Sequence, residues 1–190
     1  PAGGKGANQA VGLARLGAEV SLVGKIRDRF HGPEYLERLK EAKVDCQLVD
    51  VEPGYPGVAT IGVDEKGENS ILVYPGANQK LDTHYIDREW EKIVAHDIFL
   101  LQLEIPIETV IYTVTRLREA GKTIVLDPAP AQLLPDSLIS AVDYLTPNLI
   151  ELESLTKLPF DGEDEIIIAA AQLIDRGAKK VITKAGPSGA

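Results

Sequence analysis

Residues able to hold a polar ligand gather at the start of the chain, in Gly3-Gly4-Lys5-Gly6-Ala7-Asn8-Gln9-Ala10. Three glycines within four residues let the backbone turn sharply and let a ligand come close. A helix-forming run follows at once, with Ala7, Ala10, Val11 and Ala14 along one side. A glycine turn feeding a helix N-terminus aims backbone N–H groups and a positive dipole end at one spot. Lys5 adds a cation there and Asn8 both donors and an acceptor, a set suited to a polyhydroxyl or phosphorylated ligand. The competing reading is a tight loop entering a buried helix.

Further along, Asp28, Glu104, Asp127 and Asn148 each follow a short apolar run. One such residue is explained as a helix cap or turn former. Several in succession read as the rim of a cleft beyond the carboxyl ends of strands, where open α/β sheets bind ligands. Glu104 has a rival reading as a cap for the helix after Pro106, and Asp28 as a solvated loop charge. His31, His84 and His96 do not cluster, and no metal-ligand spacing appears. The chain has no G-x-S-x-G, no HExxH and no GxxxxGK[ST] motif, so hydrolase and P-loop readings lack support.

The elements that must place these residues alternate. Strands are expected at 19–24, 98–103, 123–126, 143–145 and 180–183, and Lys25 to Phe30 read as a charged loop. Helices are expected at 31–43, 82–94, 106–120, 135–141, 148–156 and 163–176, with Trp90 and Ile93 as core anchors. Strands separated by helical crossovers imply a mainly parallel sheet. Residues 57–64 and 68–74 break the rhythm as a hairpin around Glu65-Lys66-Gly67. Their weak alternation suggests cover on two faces, and such flaps serve as ligand lids or dimer surfaces.

The 190 residues suffice for one domain with a sizeable core. Lys and Arg number 20 against 29 Asp and Glu, a formal charge of −9 that argues against nonspecific nucleic-acid or anionic-membrane binding. No apolar run approaches the ~20 residues of a bilayer span, and no signal-peptide pattern opens the chain. Cys46 is the single cysteine, so no intrachain disulfide can form, which fits a reducing cytoplasm. Flanked by Val44 and Leu48, it reads as a half-buried strand thiol rather than a nucleophile. The chain lacks methionine, and it starts and stops inside loop motifs. It is expected to be a piece of a longer protein.

The stretches GGKGANQA (3–10), GENSI…PGAN (67–78), QLEIP (102–106), DPAPA (127–131), TPN (146–148) and GPSGA (186–190) together resemble the ribokinase (PfkB) family of carbohydrate kinases. They stand in that family's order across essentially the whole chain. The resemblance implies a ribokinase-like, Rossmann-type three-layer α/β/α fold with a mainly parallel sheet, residues 1–190 forming part of one domain. Residues 57–74 would be part of a β lid that also pairs two copies into a homodimer. It implies transfer of the ATP γ-phosphate to the 5-hydroxyl of D-ribose, with Mg²⁺ and a monovalent cation such as K⁺. GGKGANQA, QLE and PAPA point to the ribose-phosphorylating branch over adenosine kinase, fructokinase or phosphofructokinase relatives.

By the same resemblance Gly4, Lys5, Gly6, Ala7, Asn8 and Glu104 bind the sugar. Asn148, Lys184, Gly186, Ser188 and Gly189 bind the nucleotide, and Glu151, from an N-x-x-E motif, organises the metal. The family's GAGD motif, with its aspartate base and anion hole, is expected beyond Ala190, and its first strand before Pro1. Six residues depart from the family pattern. Lys184-Ala185 replaces Thr-Leu, Leu149 replaces an acid, Arg27 and Arg29 replace a glycine and an acid, and Pro56 replaces a threonine. Alternatives are another sugar or nucleoside kinase of this family and a non-catalytic sugar-binding regulator. A Rossmann dinucleotide site fits less well, because Gly24-Lys25 stands where an acid would end the next strand.

Overall fold

The glycines at the start of the chain do feed a helix. In a computed structural model that describes residues 3–29, 31–55, 57–63 and 69–190, helix α1 runs Lys5–Arg15. The Asn8 amide donates to the Gly4 carbonyl at 3.0 Å, closing the first turn. The expected alanine side is the packed one. Ala10 is buried with Leu39, Val44, Cys46 and Val49, and Ala7, Val11 and Ala14 lean on that cluster. The chain divides into two compact units, residues 1–85 with 104–106, and residues 86–103 with 107–190.

In the first unit, β1 (Val20–Ser21) pairs in parallel with β3 (Val44–Asp45), and β2 (Gly24–Arg27) with β4 (Val49–Glu52). Helix α2 (Gly32–Glu41) supplies the crossover. The single strand expected at 19–24 is therefore two short ones. Its partner strand is interrupted at 46–48, where the Val49 amide turns back to the Cys46 carbonyl, so each half pairs separately. Cys46 lies in that interruption and is buried, not half-buried in a strand.

Lys25 to Arg27 form strand, not the expected loop. Their charges are matched across the ladder, where Lys25 lies beside Asp50 and Arg27 beside Glu52. Lys25 Nζ reaches Asp50 at 3.3 Å and also pairs with Glu52, and Arg27 reaches Glu52 at 3.3 Å. Opposite charges side by side make a charged strand favourable in a way that one strand read alone cannot show. Asp28, at its end, accepts the Gly54 amide at 2.9 Å and so braces the next loop.

Strands β5 (Val58–Val63) and β6 (Asn69–Tyr74) form the expected antiparallel hairpin, in register from Val58↔Tyr74 to Val63↔Asn69. Its turn at Glu65-Lys66-Gly67, and Pro56, lie outside the described residues. The expectation of cover on both faces fails. Val58, Leu72 and Tyr74, which the register places on one face of the hairpin, are all exposed. A single-turn 3₁₀ segment, Gly76–Lys80, leads on to α3 (Thr83–Arg88).

In the second unit, β7 (Ile98–Leu101), β8 (Thr123–Leu126) and β9 (Tyr144–Leu145) lie side by side, all parallel. Ile124 and Leu126 of β8 are fully buried, the period-two burial of a central strand. Helix α5 (Ile107–Glu119) buries Val110, Val114 and Leu117. After α6 (Asp136–Ile139), helices α7 (Leu149–Thr156) and α8 (Glu163–Asp175) bury Leu152 and Leu173.

Two expectations change here. The helix expected over 82–94 breaks at Glu89, whose carbonyl caps a separate turn, α4 (Trp90–Ile93). Ile93 is a buried anchor, but Trp90 is only part-buried and carries the Arg116 guanidinium 3.9 Å from its ring centre. No full strand forms at 180–183. Only bridges at Leu145↔Val181 and Asn148↔Lys184 appear, since the neighbouring ladder runs into Pro147, which has no amide to donate. Among the described residues no helix is long and apolar enough to cross a membrane.

Candidate substrate and nucleotide sites

The glycine turn of the first unit is held from two sides. Gly4 adopts φ 105°, open to glycine and strained for other residues. Helix α1 has neither a side-chain cap nor an acid in its first turn. Glu104 supplies both from far along the chain: its Oε2 accepts the Lys5 amide at 2.7 Å. A carboxylate at a helix N-terminus meets the free amides and the positive dipole end together. On the other side, the Tyr35 hydroxyl of α2 donates to the Gly3 carbonyl at 2.5 Å. A Cβ placed on Gly4 would lie 3.9 Å from both Glu104 Oε2 and the Tyr35 oxygen.

This arrangement joins Gly4, Lys5 and Glu104 as the sequence suggests, and leaves Asn8 exposed on the first helical turn. Gly6 is half-buried beside them. The Ala7 side chain leans on the core cluster and seats the helix. The rival reading of Glu104 as a cap is half correct, for a different helix: it caps α1, not the helix that begins at Ile107. The spacing of Tyr35 with Leu36 and Leu39 marks a core face in the sequence and gives no sign of its contact with the turn. A half-buried phenol needs a partner, but nothing in the sequence names Gly3 as that partner.

In the second unit the N-x-x-E residues form a reciprocal cap of α7. Asn148 Oδ1 accepts the Glu151 amide at 2.8 Å, and Glu151 Oε2 accepts the Asn148 amide at 2.7 Å. Glu151 Oε1 also accepts from Asn148 Nδ2 at 3.1 Å. Lys184 Nζ donates to Asp127 Oδ1 at 2.7 Å and lies 3.7 Å from Glu151 Oε2. Asp127 and Glu151 are both buried, so this ammonium offsets two carboxylates that would otherwise be costly to desolvate.

Gly186–Ser188 form a short 3₁₀ turn, with Gly186 at φ 62° and Gly189 at φ 91°. The Ala185 amide bonds Gly189 O at 2.8 Å and the Gly189 amide bonds Gly186 O at 3.0 Å. The turn is therefore self-braced, with open space where Cβ atoms of Gly186 and Gly189 would stand. Among the described residues no group of three or more His, Cys, Asp or Glu could hold a metal. Both Glu151 oxygens serve the cap and a cation stands nearby, so direct Mg²⁺ ligation does not fit. An outer role through water does fit, since Mg²⁺ keeps most of its waters and binds phosphate oxygens.

Parallel α/β units with a glycine turn and carboxylates beyond their strands define the class of open α/β proteins that bind small polar ligands at strand ends. The profile of the pfkB family carbohydrate kinases matches residues 1–190. The chain belongs to the pfkB family of carbohydrate kinases. It is 37% identical over 190 residues to the deoxyribokinase of Salmonella typhi, covering 99% of this chain and 62% of that one. It is 36% identical over 188 residues to the ribokinase of Haemophilus influenzae, covering 98% and 61%. The structure of Arabidopsis thaliana ribokinase complexed with ribose and ATP superposes with a TM-score of 0.87 at 32% identity, covering 96% and 60%. The chain thus spans about three fifths of the length of these two relatives.

Proposed function

We propose that the whole protein is an ATP-dependent pentose kinase that transfers the γ-phosphate of ATP to the 5-hydroxyl of D-ribose. The observation that carries this reading is the Glu104 carboxylate fixed on the Lys5 amide beside the open Gly4 turn. A carboxylate can accept several hydrogen bonds, so Oε2 can serve the helix while sugar hydroxyls donate to the group's remaining lone pairs. Gly4, Gly6, Lys5 and Asn8 offer amides and polar side chains to the other hydroxyls. The relatives named for ribose and deoxyribose, and the neighbour solved with ribose and ATP, support a pentose and a nucleotide as ligands.

Asn148, Lys184, Gly186, Ser188 and Gly189 form the nucleotide side of the proposal. Lys184 presents a cation next to an open glycine turn, and charge-assisted bonds to phosphate are among the strong ones. Mg²⁺, arriving with ATP, would neutralise phosphate charge, with Glu151 facing it through water and a monovalent cation such as K⁺ assisting. Catalysis on such a site is positioning and electrostatics. The β5–β6 hairpin is proposed as a lid and as a homodimer surface, supported by exposed Val58, Leu72 and Tyr74. Cytoplasmic placement belongs to the same reading.

A deoxyribose kinase is the second reading, favoured by the 37% identity to a deoxyribokinase. ATP-consumption assays of the whole protein with D-ribose, 2-deoxy-D-ribose, fructose and adenosine separate these. The expected result is the highest kcat/KM with ribose. A preference for 2-deoxyribose supports the second reading, and turnover of neither pentose removes both.

A further inference from the structure

The feature that neither the motif nor the family match assigns is the tyrosine behind the glycine turn. Tyr35 lies on α2, four residues from the buried Leu39, with its ring against the cluster of Ala10, Leu39, Val44, Cys46 and Val49. Packing explains an aromatic ring there, but it does not explain the hydroxyl, which phenylalanine lacks. That hydroxyl leaves the core and donates to the Gly3 carbonyl at 2.5 Å. It stands 3.9 Å from where a Cβ of Gly4 would be, level with Glu104 Oε2 at the same distance.

We propose that Tyr35 is a positioning residue for the sugar subsite, holding the Gly3 carbonyl so that Gly4 stays open opposite Glu104. The inference rests on the reading of Gly4, Lys5 and Glu104 as sugar-binding groups. A glycine-rich turn is the part of a site least able to hold its own shape, because glycine has the most backbone freedom to lose. Glu104 fixes the turn only at the Lys5 amide. Without a second anchor, the peptide between Gly3 and Gly4 can rotate, and its carbonyl can enter the space that a sugar hydroxyl would use. The Tyr35 bond removes that freedom before any ligand binds, so binding does not have to supply the ordering. Burial, then the charge of Glu104, push the Tyr35 phenol up, so it stays a protonated donor across the neutral range.

The test compares Tyr35→Phe, Glu104→Gln and Leu39→Ala in the whole protein by steady-state kinetics, calorimetric titration with D-ribose, and thermal unfolding. Removing only the hydroxyl is expected to raise the KM and Kd for ribose by roughly three- to tenfold. The KM for ATP and kcat should stay within about twofold, with little change in Tm. Leu39→Ala, a core truncation on the same helix, should lower Tm and leave ribose affinity alone. Unchanged ribose affinity in Tyr35→Phe, while Glu104→Gln weakens it, overturns the Tyr35 inference and leaves the sugar site standing. So does a Tyr35→Phe protein that fails to fold, or one whose loss of ribose affinity merely follows its loss of Tm. If Glu104→Gln also leaves ribose affinity unchanged, the sugar-site reading falls and the inference falls with it.

Discussion

The amide of Lys5 donates to Glu104 Oε2 at 2.7 Å across 99 residues of sequence. That bond closes a helix which has no cap of its own, and it brings a strand-end carboxylate to the glycine turn. One side chain thus does local structural work at α1 and, on the function proposed above, offers charge to the sugar.

Glu104→Gln separates these two roles. The amide oxygen still accepts from Lys5, so only the charge at the helix terminus is lost, about 0.3–1 kcal/mol. Unfolding should shift by a few degrees at most. The KM for ribose should rise by roughly tenfold while the KM for ATP holds, since charged acceptors are worth about 1–2 kcal/mol more than neutral ones. Kinetics with both substrates varied checks the split.

Lys184→Met keeps the stem and removes the ammonium over Asp127 and Glu151. Breaking a buried pair costs several kcal/mol, but the Lys184 side chain is 43% exposed, so about 1–2 kcal/mol is expected. Calorimetric titration with ADP should show affinity reduced roughly tenfold. Lowered Tm with unchanged ADP binding would make Lys184 purely structural.

The division between what the sequence shows and what it hides follows the range of each interaction. Thr123–Leu126 falls where expected because apolar runs between turn signals are local, as does the hairpin pairing of 58–63 with 69–74. Lys25–Arg27 looks like a loop because its neutralising partners, Asp50 and Glu52, sit on another strand. Trp90 looks like core because size alone suggests it, whereas its neighbour is the Arg116 guanidinium. At the site, Lys5 and Glu104 are visible as motif residues, and the bond between them is not. Tyr35 is invisible, since its spacing reports the ring and not the hydroxyl.

Gly32→Ala should be among the most damaging small substitutions. A Cβ at Gly32 would meet the backbone carbonyl oxygen of Arg27 at 1.8 Å, where α2 follows the end of β2. Neither partner can rotate away, so a loss of about 3 kcal/mol or more is expected, beyond the usual cost of overpacking. Denaturant unfolding measures it, and a variant within about 1 kcal/mol of wild type would contradict this packing.

Asp143 gives the fold an acid-sensitive point. Burial alone pushes its carboxyl up, but the Lys179 ammonium at 2.7 Å, the Ile124 amide at 2.8 Å and Arg118 hold it below the usual carboxylate value. A depressed folded pKa stabilises the protein above the unfolded value, near ~4, and that stability is lost as pH falls through the folded one. Asp143→Asn should therefore be less stable than wild type at pH 7, by no more than about 1 kcal/mol because its partners Lys179 and Arg118 are exposed and screened by solvent. The gap should narrow below pH ~4, as denaturant melts across pH would show. A gap independent of pH would mean that the charge contributes nothing.

The burial of Cys46 gives this chain an internal clock. It is the only thiol in the sequence, and it packs in the cluster beneath the glycine turn. Burial, then the charge of Asp45, push its thiol up, and its burial keeps reagent away, so both slow its reaction while that cluster is closed. The rate at which an aromatic disulfide reagent labels the protein then counts openings of the layer that seats α1. Slower labelling with ribose present would report, without any turnover, that a ligand has locked the helix in place.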